Sequence, residues 1–201
     1  RYACVRIAAD GRERRLKRYC LLAGSLVLVG LLVAPAAGFG QRYDYNVNLL
    51  VGLGGSLDEN DAGFGNPVLQ FGAAIYIESN TQVALRVGSM DWGDNDLLGD
   101  LIAPQLTYAT VAGEYRDRRG FFSGALFDSA LFAGLGVYNL EGIGLDGGAQ
   151  SQTAIGFTAG TSGDFDVSKR FAIRLEVSGH YAGLDHAKIF VMLNVGMAYR
   201  F

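Results

Sequence analysis

Cysteine, proline and histidine are all scarce in this 201-residue chain, which has two cysteines (Cys4 and Cys20), three prolines and two histidines. Beyond residue 20 no disulfide can form, so whatever follows must fold without cross-links. His180 and His186 have no third ligand at fixed spacing, so a zinc centre is not written here, and no phosphate-cradling glycine loop or dinucleotide fingerprint occurs. No cofactor is expected. After residue 33 the one stretch that could pass for a membrane helix, Phe121 to Tyr138, carries Asp128 in its middle and has strand patterns on both sides.

What is abundant is apolar residues, at 50%, and glycine, at 29 residues. Glycine without a collagen period, mixed with aromatics, fits many short strands and turns.

The chain opens with a basic stretch (Arg12, Arg14, Arg15, Lys17, Arg18), an apolar run from Leu21 to Val33 and an Ala34-Pro35-Ala36-Ala37-Gly38 close. These are the parts of a helical secretory signal peptide, with cleavage expected after Ala36, or at Ala37 or Gly38. A retained anchor is the competing reading, disfavoured by the short run and by Pro35. Cys20 precedes the apolar run, so no lipoprotein box is present. The expected division is therefore 1–38 signal peptide and 39–201 mature domain. Removing 1–38 takes away seven of 17 basic and two of 20 acidic residues, so the charge moves from −3 to 10 − 18 = −8. An acidic chain is a poor partner for nucleic acid.

From Tyr43 onward the pattern has a period of two, the signature of strands. Tyr43, Tyr45, Val47, Leu49, Val51 and Leu53 alternate with Asp44, Asn46, Asn48, Leu50, Gly52 and Gly54. A second strand, Val68–Glu78, points Leu69, Phe71, Ala73, Ile75 and Ile77 one way and Gln70, Gly72, Ala74, Tyr76 and Glu78 the other. Ser79-Asn80 turns into a third, Thr81–Met90, with Val83, Leu85 and Val87 opposed to Gln82, Arg86 and Gly88. A fourth runs from about Gln105 to Arg116, with Val111 and Tyr115 opposed to Glu114 and Arg116. After a long link, Asp117–Phe127, the fifth covers about Asp128–Leu140. The sixth is Thr153–Asp166 (Ile155, Phe157 and Ala159 on one face) and the seventh Phe171–Tyr181. The last, Ile189–Phe201, alternates throughout. Turn and loop lengths alternate too, short after the second and sixth strands and longer after the first, third and fifth. One apolar face and one small or polar face on every strand suit a wall between lipid and a lumen.

The closing strand carries the family likeness. Leu193, Val195, Met197, Tyr199 and the final Phe201 resemble the terminal strand of bacterial outer-membrane barrels. In that family the barrel assembly machinery reads it. The mature chain as a whole resembles the small eight-stranded members, the OmpA transmembrane domain and OmpX among them. The resemblance implies an all-β, closed, antiparallel, eight-stranded transmembrane barrel in the outer membrane, with both termini periplasmic. It also implies lipid and lipopolysaccharide as surroundings. A monomer is the working expectation, since the residues fix no oligomeric state.

Eight strands leave an interior just wide enough for side chains. Arg86, Glu114, Arg116, Arg174, Glu176 and Arg200 point inward and are expected to pair across the lumen, plugging it. Small inward residues (Gly52, Gly54, Gly72, Ala74, Gly134, Gly136) suggest pockets near the external mouth. Tyr43, Tyr45, Tyr115, Phe171, Tyr199 and Phe201 fall where one interfacial girdle belongs, and Trp92, Tyr138 and Tyr181 where the other does. Asp94 and Asp96 are weak candidates for a divalent cation and lack the spacing of a calcium loop. Ser178 and His180 bear weighing as a catalytic pair, because the lipid A deacylase PagL is also an eight-stranded barrel using Ser and His. Its motif resembles His-x-Ser, this chain reads Ser178-Gly179-His180, both side chains should face the lumen, and no residue can be assigned to orient the base. The expectation is a structural or surface-interaction protein without turnover. The alternatives are a narrow channel or hydrophobic-ligand conduit, as the OmpW family implies, and a lipid A-modifying enzyme.

Overall fold

The computed structural model describes residues 45–57, 64–93, 97–98, 100–117, 127–185 and 187–201. The expected signal peptide, Tyr43, Asp94, Asp96, His186 and most of the long link after Asp117 lie outside the described residues.

Among them there are nine strands: β1 (Tyr45–Ser56), β2 (Phe64–Tyr76), β3 (Thr81–Asp91), β4 (Leu97–Leu98), β5 (Leu101–Asp117), β6 (Phe127–Gly144), β7 (Ala149–Asp166), β8 (Phe171–Ala182) and β9 (Ile189–Arg200). Each long strand pairs antiparallel with its neighbour in the chain, and β9 returns to pair with β1 from Asn46↔Arg200 to Ser56↔Phe190. The result is a closed eight-stranded antiparallel barrel, with two-residue β4 folded back on the start of β5. Closure removes the sheet edges, so every strand's backbone groups can pair within the wall.

Alternation sets which way each side chain points. In β8 the sequence Phe-Ala-Ile-Arg-Leu-Glu-Val-Ser-Gly-His-Tyr-Ala alternates exposed and buried without a break. The faces expected for the strands are those observed, Leu49, Val51, Leu69, Val83, Val111, Leu135, Phe157 and Leu193 exposed and Gln70, Arg86, Glu114, Arg174 and Asn194 buried, except that Glu78, expected to point inward, is exposed in the turn because β2 ends at Tyr76. Glycine is required where the closing seam is tightest. A Cβ on Gly196 would meet the Leu49 carbonyl oxygen, and one on Gly52 would meet that of Leu193.

At the end carrying the C-terminus the described connections are short. Ile77 N and Glu78 N donate to Thr81 O at 2.9 and 3.1 Å, and Val167 N and Ser168 N donate to Phe171 O at 3.0 Å. At the other end the strands run further than hydropathy suggests. β6 and β7 continue to Gly144 and from Ala149, so the expected loop Glu141–Gln152 is a tall hairpin with a four-residue tip. That tip is closed by Gly147 at φ 82° and by Asp146 Oδ1, which accepts from Gly148 N at 2.9 Å. β5 likewise starts at Leu101, with a bulge at Ala103 (φ 51°) and Pro104, where a residue lacking an N–H cannot hold the ladder.

The candidate site in the barrel lumen

The lumen has two layers of opposite character. Toward the end carrying the C-terminus, eight charged side chains form one linked set. Arg86 Nη2 lies 2.9 Å from Glu114 Oε2 and its Nε 3.2 Å from Glu176 Oε2. Arg116 joins Glu114 Oε1 and Asp164 Oδ2, both at 2.8 Å. Arg174 Nε meets Asp164 Oδ1 at 2.7 Å, and Arg200 bridges Asp164 Oδ2 (3.1 Å) to Asp166 Oδ1 (2.7 Å) at the rim. With Asp166 counted, four guanidiniums face four carboxylates, so the layer carries no net charge. Charges so far from water persist only when paired in this way. Phe132 adds its ring face, 3.9 Å from the Arg86 guanidinium carbon.

All six charged residues singled out from the sequence thus sit in one cluster. The residue that gathers three of its arginines, Asp164, was missed: β7 ends Thr161-Ser162-Gly163-Asp164-Phe165-Asp166, where nothing alternates clearly in hydropathy. Gln70 extends the set, donating through Nε2 to Glu176 Oε1 at 2.7 Å and accepting from Tyr108 OH at 2.7 Å.

Above Tyr108 the lumen turns apolar. Met90, Leu106, Leu140, Phe190 and Met192 are fully buried, and Trp92 nearly so, in one packed cluster inside the barrel mouth. Trp92 meets Phe190 edge-on at 6.2 Å. This corrects two expectations. Trp92 and Tyr138 are not girdle residues, since their parity along β3 and β6 turns them inward, where neighbouring rings exclude lipid and water alike. Nor do the small inward residues leave pockets: the space beside Gly54 is taken by Met90 and Met192, that beside Gly72 by Asn48 and that beside Gly136 by Thr110.

Between the layers His180 Nε2 lies 2.9 Å from Ser178 Oγ, and its Nδ1 lies 2.9 Å from Tyr138 OH. Tyr138 OH also lies 3.3 Å from Phe157 O, so the ring is held between the tyrosine on Nδ1 and the serine on Nε2. The orienting group that the sequence did not supply is therefore Tyr138. The geometry is that of a serine with an oriented base, but Ser178 and His180 are 1% and 3% exposed, beneath the apolar layer. Among the described residues no group of three or more His, Cys, Asp or Glu could hold a metal ion.

The outside of the wall is the inverse of the inside. Leu131 (67%), Ile155 (76%) and Phe157 (60%) are among a continuous coat of exposed aliphatic and aromatic side chains. Water would not tolerate a coat of this extent around a charged interior, whereas a bilayer demands it. Leu193, Val195, Met197 and Phe201 belong to it, and half-buried Tyr199 packs between Phe171 and Phe201 with ring centroids 4.7 Å from each.

Neither a protein-family model nor a curated protein matches the chain. Solved structures do. Neisserial surface protein A aligns with a TM-score of 0.64 at 15% identity, over 79% of this chain and 97% of that one. The chain has the fold of the small outer-membrane β-barrels. The N-terminal barrel domain of Pseudomonas aeruginosa OprF (TM-score 0.54, 15% identity, 78% of this chain and 97% of that one) has it too. So does Ail, the attachment invasion locus protein of Yersinia pestis (0.53, 15%, 78% and 96%). With the apolar coat, this makes the chain a membrane β-barrel protein.

Proposed function

We propose that this is an integral outer-membrane protein with a sealed lumen, acting as a structural or surface-interaction protein rather than as a pore or an enzyme. The observation that carries the reading is the stacking of an electroneutral ion-pair layer under a packed apolar layer, which supports a lumen closed at two levels. A buried nucleophile beneath that packing has no route to a substrate, so the reading includes no turnover. Both termini are assigned to the periplasm, because the described short turns, Ile77–Asn80 and Val167–Arg170, share the end that carries the C-terminus. The closing residues Leu193, Val195, Met197, Tyr199 and Phe201 are assigned to recognition by the assembly machinery, and the partners of the folded wall are outer-membrane lipid and lipopolysaccharide. The attachment role in Ail's name favours the external end as the working surface.

Planar-bilayer recording on purified, heat-modifiable protein tests the reading: a silent membrane is expected, and stepwise ion conductance would refute the sealed lumen. A hydrophobic-ligand conduit is the second reading, favoured by the apolar upper layer. It requires that an apolar fluorophore enter the lumen and be displaced by substitutions at Trp92 or Phe190.

A further inference from the structure

We propose that the β7–β8 turn and the aromatic residues beside it form a headgroup site for an anionic phospholipid at the barrel's terminal rim. Only the choice of leaflet rests on the orientation proposed above; the site itself does not.

The turn, Val167-Ser168-Lys169-Arg170, is fixed from within. Ser168 Oγ accepts from Arg170 N at 3.3 Å and from Phe171 N at 3.0 Å. Lys169 and Arg170 are exposed, and neither has an ion-pair partner among the described residues. Nearby Arg200 differs, because Asp164 and Asp166 already neutralise it. Arg170 Nη1 donates to Tyr199 OH at 3.4 Å, which draws the guanidinium against the row Phe171, Tyr199 and Phe201. Such a row marks the interfacial depth at which lipid phosphates lie.

Among the described residues the other short turn at this end, Ile77-Glu78-Ser79-Asn80, offers an acid and no cation. A guanidinium provides paired N–H donors for phosphate oxygens, and an ammonium adds a mobile point charge. Two cations without carboxylate partners among the described residues select a headgroup with net negative charge over a zwitterionic one. The chemistry is that of a phosphodiester, and the depth assigns it to a lipid rather than to a soluble phosphate ester.

The test uses the folded protein in nanodiscs of phosphatidylcholine with a minor share of phosphatidylglycerol, reading by spin-label EPR which lipid is immobilised at the wall. The wild type is expected to prefer phosphatidylglycerol by roughly tenfold at low salt, a preference lost in Lys169→Gln/Arg170→Gln and kept in Glu78→Gln. Equal preference in wild type and double variant would overturn the proposal. Displacement of the labelled lipid by soluble glycerophosphate would overturn the lipid assignment. The heat-modifiable gel shift confirms that each variant is folded, and Lys169→Ala/Arg170→Ala serves if the Gln pair is not. Because both leaflets are identical in a nanodisc, the result is independent of orientation, which labelling of whole cells tests separately.

Discussion

Arg174 grips Asp164 with two parallel bonds, Nε to Oδ1 at 2.7 Å and Nη2 to Oδ2 at 3.0 Å, while Arg116 and Arg200 share the second oxygen. One carboxylate therefore balances three guanidiniums that approach from β5, β8 and β9, tying distant parts of the wall across the lumen. Asp164→Asn leaves a surplus positive charge in a site 1% exposed. The expected loss is about 3–5 kcal/mol, measured by urea unfolding in lipid. Asp166→Asn, whose side chain is 38% exposed at the rim, should cost no more than about 1 kcal/mol.

The apolar layer makes a separate demand. Phe190→Ala opens a cavity under Trp92, and the loss should be about 3–5 kcal/mol in the same assay. The charged layer still closes the barrel below it, so Phe190→Ala should remain silent in planar bilayers. Conductance in that single variant would mean that the ion pairs do not seal the lumen.

At the closing seam the prediction turns on a methyl group. Gly196→Ala places a Cβ on the Leu49 carbonyl oxygen, which backbone cannot yield without loosening the β1–β9 ladder. The variant should fold slowly and lose its heat-modifiable band at a lower temperature. Gly113→Ala, where a Cβ meets nothing within 4 Å, should behave as wild type.

Ser178 tests the absence of turnover. If burial under the apolar layer denies it a substrate, a fluorophosphonate probe should leave the folded protein unlabelled, and lipid A mass should not change on its expression. Labelling that disappears in Ser178→Ala would restore the enzymatic alternative.

Most of the wall was legible because lipid and lumen impose opposite demands on successive residues. In β1, β8 and β9 that contrast reads cleanly from the alternation of Leu49, Val51 and Leu53, or of Ile173, Leu175 and Val177. Legibility fails where the contrast disappears. Beyond the bilayer both faces of a strand are wet, so the upward run of β6 and β7 to Gly144 and Ala149 left no hydropathic mark. In the upper lumen the interior itself is apolar, so Trp92 and Tyr138 passed for membrane-facing aromatics although their parity turns them inward. At the end of β7 small and polar residues blur the period, which hid Asp164. The six inward charges could be picked out and expected to pair across the lumen; which of them meet, and that three arginines meet on Asp164, is a matter of register across the wall, to which no local pattern speaks.

The wall's coat should also tolerate no charge at mid-depth. Leu135→Arg, on the outer face of β6, is expected to cost about 2–4 kcal/mol.

The most direct test of the account is where successive residues of β9 point. In a Trp92→Phe background, single tryptophans at Met192, Leu193, Asn194, Val195 and Met197 would be read by fluorescence quenching from acyl chains brominated at mid-depth. The account predicts strong quenching at positions 193, 195 and 197 and weak quenching at 192 and 194. Uniform quenching, or protection of the odd positions, would contradict a wall with lipid on one side and a packed lumen on the other.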